Sequence, residues 1–176
     1  MGWAALRRAL PLFAPMLLAA CATFGGDKSI ECPAVRILQE GAEVRFFRDG
    51  PGRDLTDVTV EARFDGVGGQ CEYDKGRLEI AFVVQATAAL GSAPGPRQRP
   101  IPYFVAVVDA NGRILARQRF ELPVAFPENF LRVAVQDEIG IKLPLANVVE
   151  APDYTIFIGF ELSRDEFDLQ QFDRRR

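Results

Sequence analysis

Leu78, Ile80, Phe82, Val84 and Ala86 occupy every second position of one run, with Glu79, Ala81, Val83 and Gln85 between them. Successive side chains of a strand point to opposite faces, so this alternation demands a β-strand with one buried face and a second that is partly covered. Val58, Val60, Ala62 and Phe64 alternate with Asp57, Thr59, Glu61 and Arg63 and predict a strand with one wet face. Residues 101–108 are almost wholly apolar, as in a central strand. Asn111-Gly112 is a hairpin signal, because both residues tolerate positive φ, and the return strand runs over 113–124. Further strands are expected at 44–47, near 129–136 and at 154–162. Breakers at 49–52, 65–69, 91–102 and 123–127 separate these runs. Seven or eight strands, with no helix-period stretch between them, predict an all-β fold: an antiparallel β-sandwich of immunoglobulin-like type over 32–162. The Cys-Trp-Cys pattern of antibody domains is absent. In the tail, 163–176, Ser163 and Glu166 have the spacing of a capping box, which leaves a short helix and a frayed polar terminus both open.

The N-terminus follows a different grammar. Arg7 and Arg8 precede an apolar run over 9–18, too short to span a bilayer, and small residues follow. That order is the pattern of a secretory signal. Its end, Leu18-Ala19-Ala20-Cys21, resembles the lipobox of bacterial lipoproteins. The resemblance implies a signal peptide over 1–20, cleavage before Cys21 and lipidation of its thiol and freed amine. Beyond that motif, the chain loosely resembles the small envelope lipoproteins of Gram-negative bacteria. Ala22, where Asp would commonly retain such a protein in the inner membrane, implies transfer to the outer membrane. Residues 21–31 would form a flexible tether reaching about 15–20 Å.

Removing residues 1–20 leaves 156 of the 176 residues and moves the formal charge from −3 to −5, since Arg7 and Arg8 leave and no acid does. A mildly acidic domain is a poor nucleic-acid binder, so membrane attachment falls to the acyl chains. The chain has no histidine, and both methionines precede the proposed cleavage site. Common haem, copper and zinc sites and histidine-dependent triads are therefore not expected, and no cofactor, metal or catalytic residue is assigned. Export would take Cys32 and Cys71 to an oxidising compartment, where a structural disulfide is expected. A redox-active pair is a weaker reading because the CxxC spacing is missing.

Asp49, Asp54 and Asp57 surround a Gly-Pro-Gly turn and are read as turn chemistry in preference to a Ca²⁺ loop. Asp153, Asp165, Glu166 and Asp168 could supply a carboxylate pair, but nothing distinguishes their surroundings. The proline-stiffened loop over 94–102, with Arg97 and Arg99, is either a solvated linker or a docking element for an acidic partner. Phe126 and Phe130 flank a turn and either cap the sandwich or form a sticky patch. The expected function is that of a lipid-anchored, non-enzymatic envelope protein that binds another envelope protein or supports an assembly. The alternative is a lipoprotein that binds a small ligand or glycan through its loops.

Overall fold

The computed structural model describes residues 31–145 and 147–174; the lipobox, Cys21 and all but the last residue of the tether lie outside them. Eight strands are present: β1 (Ala34–Ile37), β2 (Glu43–Phe47), β3 (Val58–Asp74), β4 (Arg77–Leu90), β5 (Gln98–Val108), β6 (Ile114–Ala125), β7 (Arg132–Pro144) and β8 (Thr155–Phe160). A helix, α1 (Arg164–Arg174), closes the described chain. The strands form two four-stranded sheets, in the orders β1-β8-β5-β6 and β2-β3-β4-β7. This is the all-β sandwich the alternation demands. Its strand order is its own: β2, β3 and β4 run as a meander, unlike the ABED and CFG sheets of immunoglobulin domains.

The alternation translates directly into the core. Leu78, Ile80, Phe82 and Val84 of β4 face Ile101, Tyr103, Val105 and Val107 of β5 across the sandwich, all buried. Ile156, Ile158 and Phe160 of β8 complete the layer. Phe64 and Phe160 stack with ring centroids 4.0 Å apart, and Tyr103 meets Phe64 edge-on at 5.9 Å.

Four local expectations are corrected. Residues 65–69, expected to break the chain, lie inside β3, where the register shifts between Phe64 and Gly66. The glycines there mark a bulge and a close approach: a Cβ on Gly69 would stand 2.5 Å from that of Phe82. The true reversal is Lys75-Gly76, with φ of 46° and 82°, the signature of a two-residue hairpin turn. The strand expected near 129–136 begins at Arg132 and continues to Pro144. In the β5–β6 hairpin only Gly112 takes positive φ (79°); Asp109 organises the loop by accepting from the backbone N–H groups of Asn111 and Arg113. The sheets are also not wholly antiparallel, since β1 pairs parallel with β8.

Asp137 is the one acid at an inward position of β7, in line with Val133, Val135, Ile139, Ile141 and Leu143. The fully buried Tyr103 explains it by donating its hydroxyl to Asp137 Oδ2 at 2.7 Å, which ties the two sheets together. Burial first, and the Asp137 contact second, raise the tyrosine hydroxyl above its ordinary value. The sign follows: above about pH 10 an unfolded chain releases this proton while the folded chain keeps it. Alkaline stability should therefore fall by up to about 1.4 kcal/mol per pH unit from this residue. Tyr103→Phe should flatten that slope in denaturant titrations between pH 9 and about 11.5, while costing about 1–2 kcal/mol at neutral pH.

Candidate functional site: the end opposite the chain entry

The strand directions sort the connections into two ends. The chain enters β1 beside the start of β8, at the end that carries the 74–77 turn and the β5–β6 hairpin tip. The opposite end carries 48–57, 91–97, 126–131 and α1. At the entry end, Cys32 and Cys71 stand with sulfurs 2.02 Å apart and Cα atoms 5.8 Å apart, a disulfide geometry. The pair joins the segment leading into β1 to β3, and so one sheet to the other.

Arg97 organises the opposite end. Its guanidinium donates to the carbonyls of Phe126 (3.2 Å), Pro127, Glu128 (3.0 Å) and Phe130 (2.9 Å). The Phe126 N–H returns a bond to the Arg97 carbonyl at 2.7 Å. Phe126 and Phe130 thus divide the two readings between them. Phe126 is buried and caps the core, while Phe130 is 58% exposed beside Leu131 at 68%. Arg99 lies inside β5 with its guanidinium carbon 3.7 Å above the Phe46 ring, a cation–π contact between the sheets. The structure therefore corrects the picture of a loop over 94–102 that projects two arginines: 98–102 are strand, and both side chains have internal partners.

A second feature lies at the same end, on the β2 side. Phe47, Leu55, Leu169 and Phe172, with Arg45 and Arg53, line a cleft of about 290 Å³ under α1. The helix forms because Ser163 and Glu166 cap it reciprocally, the Ser163 N–H donating to Glu166 Oε2 at 2.7 Å and the Glu166 N–H to Ser163 Oγ at 3.3 Å. The expected capping box is present, and it starts a helix of 11 residues. The cleft itself escaped the sequence reading, although Leu169 and Phe172 at i, i+3 behind that box were the available signal.

The acids fall where turn chemistry puts them. Asp54 accepts from the Thr56 hydroxyl and N–H, which hold its carboxyl below the ordinary value. Asp57 takes the Arg48 guanidinium at 2.5 Å. Asp153 sits at the entry end, just before β8, while Asp165, Glu166 and Asp168 lie on α1 at the other end, so Asp153 pairs with none of them. Among the described residues, no three Cys, Asp or Glu side chains converge in a cluster able to hold a metal ion. Nor is any helix among them long and apolar enough to cross a membrane.

Fold and surface together define the chain as a two-sheet β-sandwich with an apolar turn and an apolar cleft at one end. Compared with known proteins, it matches no family model, no curated protein and no solved structure.

Proposed function

We propose that this chain is a lipid-anchored cell-envelope protein that acts by contact and not by catalysis. Its acyl chains on Cys21 hold it to the periplasmic face of the outer membrane, and it binds another envelope protein there. The observation that carries the reading is the opposition of the two ends. The described chain enters β1 at one end, while Arg97 fixes the exposed Phe130-Leu131 turn at the other. A rigid apolar turn loses little entropy on docking, which suits it to recognition. Residues 97 and 99 contribute by shaping that end, not by meeting the partner. A second reading, binding of a small ligand or glycan, draws support from the cleft under α1, which Phe47 and Phe172 line together with Arg45 and Arg53. Saturable affinity for a small molecule, lost on Phe172→Ala, would favour it.

The anchor is testable by itself. Cell fractionation with mass spectrometry of the mature N-terminus should find a diacylated or triacylated Cys21, and Cys21→Ser should release the chain from the membrane. A variant that stays membrane-bound, or a mature chain that still contains Trp3, would refute the anchor.

A further inference from the structure

Of the two arginines that line the cleft under α1, Arg53 keeps its charge unspent. Arg45 lies 4.0 Å from Glu61, whereas Arg53 is exposed and forms no ion pair among the described residues. The Arg53 Nη1 donates to the carbonyls of Gly50 at 2.8 Å and Gly52 at 2.7 Å, and the guanidinium carbon lies 5.4 Å from the centre of the Phe47 ring. These contacts hold the group in place and leave Nε and Nη2 without an acceptor among the described residues. That is an edge through which a guanidinium grips a carboxylate with two parallel hydrogen bonds.

The two acids of the cleft are already engaged. Asp54 Oδ1 accepts from the Thr56 N–H and hydroxyl, each at 2.6 Å, and Glu166 Oε2 accepts from the Ser163 N–H at 2.7 Å. The remaining walls are apolar, and two of them face solvent: Leu55 is 70% exposed and Phe172 55%. At about 290 Å³ the cleft is at the small end of ligand sites, so the apolar body that fits is a ring or a short chain.

We infer that the cleft under α1 binds a small organic carboxylate, with its charged group on Arg53 and its apolar body against Leu55, Leu169 and Phe172. The inference rests on the second reading above and narrows it. A neutral glycan needs several open donors and acceptors for its hydroxyls, whereas here the acids serve a turn and a helix cap, and Arg53 lies over the Phe47 ring. Contact through the Phe130-Leu131 turn is independent of it.

Isothermal titration of the full chain in lipid nanodiscs, with empty nanodiscs as the blank, tests this with phenylbutyrate and its neutral isostere phenylbutanamide. The carboxylate should bind with a Kd of about 1 mM or tighter, and the amide at least about tenfold more weakly. Arg53→Gln should remove that preference, and Phe172→Ala should weaken both ligands. Melting temperatures near that of the wild type control for folding. Equal affinity for the two probes, or a preference that survives Arg53→Gln, would overturn the carboxylate assignment and leave a ligand cleft standing. No binding of either probe at about 10 mM would also overturn it. Titration with N-acetylglucosamine then decides the wider reading: binding that Phe172→Ala abolishes keeps it, and no binding ends it.

Discussion

Removing the Cys32–Cys71 bridge, by Cys71→Ala with Cys32→Ser, should lower the unfolding free energy by about 3–4 kcal/mol. The two cysteines are separated by 39 residues, so the cross-link removes substantial loop-closure entropy from the unfolded chain. Position adds to this. β1 is four residues long and lies at a sheet edge with β8 as its single strand partner, so the covalent tie is what most firmly holds the entering chain. The variant should therefore show lower protection of the 34–37 amides as well as a lower urea midpoint. Non-reducing peptide mapping of protein isolated from cells checks the premise; two free thiols would refute it.

Arg97→Ala should have the next largest effect, about 2–3 kcal/mol, because a charged donor to several carbonyls is lost at once. The carbonyls of Phe126, Glu128 and Phe130 would turn to water and the 126–131 turn would loosen. Arg97→Lys should recover part of this, since an ammonium cannot reproduce the planar fork. Hydrogen exchange at the Phe126 and Phe130 amides reads the change directly. Protection equal to that of the wild type would show that Arg97 does not hold the turn.

The sandwich was legible because its buried faces repeat with a period of two, as in β4, where every second residue from Leu78 to Ala88 is buried. Glycine misled the reading at 65–69 because composition cannot separate a turn from a bulge; the difference lies in Phe82 on the neighbouring strand. The second half of β7 was hidden by Asp137, a polar residue at a core position whose partner, Tyr103, is 34 residues away. The same limit applied to Arg97 and Arg99. An arginine in a proline-rich stretch looks solvated until Phe126, Phe130 and Phe46 are brought beside it. Local order was readable, whereas partners distant in sequence were not.

The account's central claim is action by contact through the end opposite the start of β1. Crosslinking in intact cells, with the full chain as bait, tests it most directly when wild type is compared with Phe130→Asp/Leu131→Asp. Both residues are exposed, so the change should leave membrane level and melting temperature within a few degrees of wild type. The account predicts a stoichiometric envelope partner crosslinked to wild type and lost from the double variant. An identical crosslinking profile for the two, or turnover of a substrate by the purified chain, would contradict it.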